Sequence, residues 1–225
     1  MNTFLVRRLI YKDWYLSRTL ILASLLLGAA TLIAMAAAKG GQLAVILGVI
    51  VLAIVLIGMG AVVMSSMVNE RKEQTLPFVM TLPVSYLEYT TSKLIGGLLI
   101  FLVLWVGLLF GMIAVVLTTP WFPNGLIPFI VLMSVEVLMT TTLIAAVSVT
   151  TESQGWMIGA AQFGGLGLNA VGWSIVRLHG IGSTMTGPRI AWSPAATIIL
   201  LVEIAVIAIM LGTAFFIQSR KRDFI

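Results

Sequence analysis

Six long runs of apolar residues dominate the chain, at about 19–38, 43–67, 94–118, 126–149, 155–176 and 194–217. A helix needs ~20 apolar residues to cross the hydrocarbon core of a bilayer, and each run meets that length. The runs are continuous. Barrel strands would instead alternate apolar and polar positions over ~10 residues. The pattern therefore predicts an all-α membrane protein with six transmembrane helices. The fifth run is the most polar, with several glycines plus Gln162 and Asn169. The first run follows Arg7, Arg8 and Lys12 and ends in Ala36, Ala37 and Ala38, as a secretory signal would. It is longer than the ~7–15 apolar residues of such a signal, so it reads as a span.

Composition points the same way. Of 225 residues, 60% are hydrophobic and 9% charged, and the mean hydropathy is +1.12. A soluble domain carries roughly 25% charged residues, so lipid has to solvate most of this surface. The chain has no Cys and one His, His179. A thiolate metal site, a Cys nucleophile, a disulfide and a His cluster are thereby excluded. The net charge of +5 is no sign of nucleic acid, because Lys and Arg sit at the ends of apolar runs.

Their distribution sets an orientation. With the N-terminus inside, ten Lys and Arg fall on the inner side: Arg7, Arg8, Lys12, Arg18, Arg71, Lys72, Lys93, Arg220, Lys221 and Arg222. Three fall outside: Lys39, Arg177 and Arg189. The positive-inside rule then places both termini in the cytoplasm, in a multi-pass protein of the cell membrane. Trp121, Trp173 and Trp192 come to the outer interface and Trp14, Tyr86, Tyr89 and Trp156 to the inner one, the depth aromatic rings prefer.

Three segments lie between or before the spans. Residues 1–18 are basic and aromatic, with Val6, Ile10 and Trp14 in one helical row, interrupted by Lys12 and Asp13. They predict an N-terminal interfacial helix. Residues 177–193 are rich in Gly and form either a small extracellular cap or a plain connector. The most informative segment is 69–93, NERKEQTLPFVMTLPVSYLEYTTSK. Charges gather at Glu70, Arg71, Lys72 and Glu73, and Pro77 and Pro83 punctuate the more apolar stretch after them. Proline starts helices and breaks their interiors, so Thr75–Met80 suits one short helix. Ser85-x-x-Glu88 matches a capping box, which predicts that a new helix starts near Tyr86. The segment reads as a rigid cytoplasmic hook.

These residues resemble the type-2 ABC permeases. That family has six spans after an interfacial helix, and a cytoplasmic coupling helix between spans two and three. The matching positions are Glu70, Arg71 and Glu73, then Thr75, then Leu82, Pro83, Val84 and Ser85, then Lys93. Gln74 stands where the family often has Gly, and Pro77 is an additional proline. The resemblance implies one transmembrane domain over residues 1–225. It implies a second permease copy or a homologous permease, a bilayer, and a dimer of ABC ATPase subunits that grips the coupling residues. ATP and Mg would bind in that partner. This chain has no G-x-x-x-x-G-K-[ST] loop, so no cofactor and no catalytic residue is expected in it. The cargo is not readable, since fold does not name substrate.

Two carboxyls lie inside the spans. Glu136 and Glu203 are about ten and nine residues into their runs, ~13–15 Å deep at ~1.5 Å per residue. A charge there costs ~2.5–3.5 kcal/mol on insertion scales and usually faces protein or water. They are candidates for the pathway or an interface, or else protonated carboxyls without a transport role. An ion-coupled secondary transporter using Glu136 and Glu203 is the alternative reading. Such folds show inverted repeats, and none is evident here. Gly107-x-x-x-Gly111 and Gly155-x-x-x-Gly159 predict close helix contacts within the chain.

Overall fold

The computed structural model describes residues 3–37, 86–151 and 153–220. The second run at 43–67, the coupling residues at 70–85, Lys39, Glu152, Lys221 and Arg222 lie outside the described residues. Every regular element within them is helical: α1 (Thr3–Ala37), α2 (Tyr86–Thr118), α3 (Ile127–Thr151), α4 (Gln154–Arg177), α5 (His179–Gly182) and α6 (Pro194–Arg220), with one 3-10 turn at Asn124–Leu126. In lipid, backbone N–H and C=O groups have no water to bond, so continuous apolar runs become helices.

Four stretches are long and apolar enough to cross a membrane: Val6–Ala37, Thr91–Thr118, Asn124–Thr151 and Pro194–Arg220. They match the first, third, fourth and sixth expected spans. The fifth expected run forms the helix α4, 24 residues long or ~36 Å, which is not among these four. Its glycines, Gln162 and Asn169 keep it less apolar than those four.

Starts and stops follow local chemistry. Pro194 occupies the first turn of α6, where its missing N–H is not needed. Ser193 precedes it, and the Ser193 hydroxyl accepts from the Ala196 N–H at 3.2 Å, as an N-cap does. The chain turns between α3 and α4 at Ser153, whose backbone is extended.

The helix α3 is the centre of the bundle. It packs against α2, α4 and α6 and is buried over most of its surface, whereas the other spans are largely exposed. The main core joins Ile21, Phe101, Leu104, Ile144, Ala145 and Met157. A second core, of Leu132, Ile175, Ile181 and Ala196, closes the distal end of the bundle, where α6 begins. The proximal end is the one where α1 begins. At the distal end the Gly125 N–H donates to the Gly187 carbonyl at 3.0 Å. A side chain at Gly125 would strike the Thr184 carbonyl, so glycine permits this close approach. Residues 177–193 thus fold over the distal end of α3, with Ile181 buried; they are not a bare connector.

The first eighteen residues are not set off as a separate helix. Thr3–Ala37 runs as one element of 35 residues, ~52 Å long against a hydrocarbon core of ~30 Å. Yet α1 does not keep one register along α2. Leu25, Gly28 and Leu32 face Gly107, Leu108 and Gly111, while Ile10 faces Gly96. From Ile10 to Leu25 α1 advances fifteen residues, while α2 advances eleven from Gly96 to Gly107. The proximal part of α1 is therefore inclined to the axis of α2.

Candidate functional site

The first feature ties α1 to α2. Lys93 Nζ donates to both carboxylate oxygens of Asp13, at 3.0 and 2.9 Å. Lys93 is 4% exposed and Asp13 14%. The ammonium also lies 5.9 Å from the Tyr89 ring centroid. Next to it, the buried Ser92 hydroxyl donates to the Tyr89 carbonyl at 2.7 Å. Asp13 stands 24 residues from the distal end of α1, and Lys93 stands 25 from that of α2. Both therefore sit ~36–38 Å from those ends, just beyond a ~30 Å hydrocarbon core. A buried ion pair contributes little net stability, because desolvation offsets the attraction. Losing one partner is different, since the other charge then loses its counter-ion while still buried, at a cost of about 3–5 kcal/mol. What the pair fixes is the position of the start of α2 against α1.

In sequence, α2 follows directly on the expected coupling residues. Glu70, Arg71, Glu73, Thr75, Leu82, Pro83, Val84 and Ser85 lie outside the described residues. The helix α2 starts at Tyr86, where the Ser85-x-x-Glu88 box predicts a start. Lys93, the last matched position of that segment, is thereby anchored seven residues into α2. Sequence reasoning missed its partner. Asp13 registered there only as an interruption of an amphipathic row. The usable signal was a single acid among Arg7, Arg8, Lys12 and Arg18.

The second feature is at the bundle centre. Glu136 lies nine residues into α3 and Glu203 nine into α6, so both are ~14 Å from the distal helix ends. Glu136 is 1% exposed and Glu203 4%. The two are within electrostatic reach of one another. Glu136 Oε2 and both carboxyl oxygens of Glu203 accept no hydrogen bond from any described residue. Each is covered by helices of its own chain, so this centre is interior to one chain. Gly167 on α4 faces Glu136, and a Cβ there would sit 3.7 Å from Glu136 Oε1.

Close approach of α4 makes this enclosure. A Cβ at Gly164 would overlap the Thr140 side chain, and one at Gly172 would sit 3.3 Å from the Met133 methyl. Thr140 Oγ1 reaches the Gly164 carbonyl at 3.5 Å. Thr141 and Thr142 donate within α3, to Val137 and Leu138 carbonyls at 3.0 and 2.8 Å. The glycines in contact are thus Gly164, Gly167 and Gly172. Of the expected pairs, Gly107 and Gly111 do receive Leu25 and Leu32 of α1. Gly155 and Gly159 do not take part: Gly155 meets only Ser153, and Gly159 has open space. Two carboxyls enclosed in this way can hold a proton or a small cation between helices. Among the described residues no group of three or more His, Cys, Asp or Glu side chains forms a metal site.

Two further contacts lock α3. The Trp105 indole donates to the Ser134 carbonyl at 2.6 Å, joining α2 to α3. The buried Gln218 amide donates to the Val149 carbonyl, joining α6 to α3 at the proximal end.

Among the described residues, long apolar helices packed around a central helix make this a multi-pass membrane protein. Comparison with known families then places it more closely. The family described as "ABC-2 family transporter protein" matches residues 8–218. The chain belongs to the ABC-2 family of transporter proteins, whose membrane domains are permease subunits. No curated protein and no solved structure matches it.

Proposed function

We propose that this chain is the membrane-spanning permease subunit of an ATP-driven exporter, powered by a separate ATPase dimer that carries ATP and Mg. Six spans cross the cell membrane: the four apolar helices, α4, and the run at 43–67. Both termini and the proximal end face the cytoplasm. Among the described residues, Arg7, Arg8, Lys12, Arg18, Lys93 and Arg220 gather at that end, against Arg177 and Arg189 at the other, as the positive-inside rule requires. Two permeases, identical or homologous, make the pathway.

The observation that carries this reading is the buried Asp13–Lys93 pair at the foot of α2, in a chain of the ABC-2 family. Residues 70–85 form the handle gripped by the ATPases. A push on that handle reaches Lys93 within a few turns and is shared with α1 through Asp13. Interfaces and packed cores switch between discrete arrangements, so a small displacement there biases inward-open against outward-open states. Purification of the chain from its native membrane in mild detergent is the test. Recovery of a P-loop ATPase supports the reading, and intact permease assemblies without one oppose it.

One observation favours a second reading. The unpartnered oxygens of Glu136 and Glu203 suit an ion or proton carried by the chain itself. Transport that follows an ion gradient and ignores ATP would select it.

A further inference from the structure

The proximal part of α1 crosses α2 at an inclination, and a cleft of about 420 Å³ lies between their faces. Its walls are two helical faces, each spaced i, i+3, i+4, i+7: Arg7, Ile10, Tyr11 and Trp14 on α1, and the matching face from Gly96 to Val103 on α2. Gly96 forms the floor, where Ile10 comes within 3.6 Å of the position a Cβ would take. From Lys93, at the edge of the hydrocarbon, to Val103 the α2 wall climbs ~15 Å into the apolar layer. Leu99 and Val103 line that climb and stay half exposed.

The lining is apolar except at one edge. Arg7 is exposed there and makes no ion pair with any described residue. The acid of this segment, Asp13, is committed to Lys93. Arg18 is stacked on Tyr15, 3.9 Å from its ring centroid. The cleft thus joins an uncompensated guanidinium, interfacial aromatic rings (Tyr11 and Trp14) and an apolar slot along the membrane normal.

We propose that this cleft binds one anionic phospholipid, with its phosphate on Arg7 and one acyl chain along Leu99 and Val103. A peptide is a poor occupant, because its backbone groups would enter hydrocarbon unpaired. A zwitterionic lipid would match the slot but not the net charge, since basic residues beside a membrane attract anionic headgroups. The ligand holds the inclined segment of α1 against α2 directly beside the Asp13–Lys93 pair. This inference rests on the chain lying in a membrane and is independent of any ATPase.

Native mass spectrometry of the full chain in detergent tests it, with dioleoyl phosphatidylglycerol and dioleoyl phosphatidylcholine titrated in competition and glycerol phosphate as a headgroup-only probe. The expected result is one retained phosphatidylglycerol per chain, preferred over phosphatidylcholine. Arg7→Gln should cut that preference about fivefold, the equivalent of ~1 kcal/mol for one basic residue at a lipid surface. Leu99→Trp, which fills the slot, should lower retention of both lipids. Equal retention of the two lipids by the unaltered chain would overturn the proposal. So would an unchanged preference in Arg7→Gln, whose exposed side chain leaves folding intact, or retention of glycerol phosphate as firm as that of the lipid.

Discussion

Lys93 and Asp13, eighty residues apart in sequence, meet through two hydrogen bonds at 2.9 and 3.0 Å in a setting almost closed to solvent. The contact joins the first helix to the helix that comes after the expected coupling loop. It makes those two helices one mechanical unit at the proximal end, while Gly28, Gly107 and Gly111 interlock them farther along.

Breaking one side of this pair should therefore be costly. Asp13→Asn or Lys93→Met should each lower stability by about 3–5 kcal/mol, because the remaining charge stays buried. The double variant Asp13→Asn/Lys93→Met should regain most of that loss. Denaturant unfolding in detergent would measure all three. If the double variant were as unstable as the sum of the singles, the two side chains would not act as a pair.

The glycine contacts give a position-specific expectation. Gly164→Ala should destabilise the chain by about 1–3 kcal/mol, as overpacking does, because the added carbon overlaps Thr140. Gly159→Ala should be neutral or slightly stabilising, since that position has open space and Ala is the better helix former. Thermal unfolding of the two variants should separate them clearly.

The carboxyl pair should behave as one unit. Glu136→Gln and Glu203→Gln should leave folding intact, since each removes a buried ionisable group and keeps its shape. Their combined effect on stability should depart from additivity by at least ~0.5 kcal/mol, the mark of coupled residues. If the pair lies on the transport route, each single change should also depress transport while the unfolding curve holds.

Much of the fold could be read directly from the residues. Continuous apolar runs gave four of the helices to within a few positions at their distal ends, and Ser193-Pro194 marked the start of α6. Hydropathy also set the depth of Glu136 and Glu203. It could not set their rotation about the helix axes, so their mutual approach was not visible. The same gap explains the glycines. Spacing shows which residues share a face, but not which face meets a neighbour, so Gly155 and Gly159 looked as suitable as Gly164 and Gly167. Asp13 was hidden for another reason. Its partner is eighty positions away, and a local amphipathic pattern holds no information about it. The inclined, unbroken α1 fell between two sequence expectations, because the row of Val6, Ile10 and Trp14 describes a face and not the direction of the axis.

The most direct test of the central claim reverses the charges at Glu70, Arg71 and Glu73 and tracks the partner. Wild-type chain and variant would be purified from the native membrane, reconstituted in nanodiscs, and assayed for a co-purifying P-loop ATPase and its ATP hydrolysis. The account predicts that the wild type brings down the ATPase, and that the variant unfolds at the same temperature but loses both partner and coupled hydrolysis. A variant that keeps its ATPase with undiminished hydrolysis would contradict it.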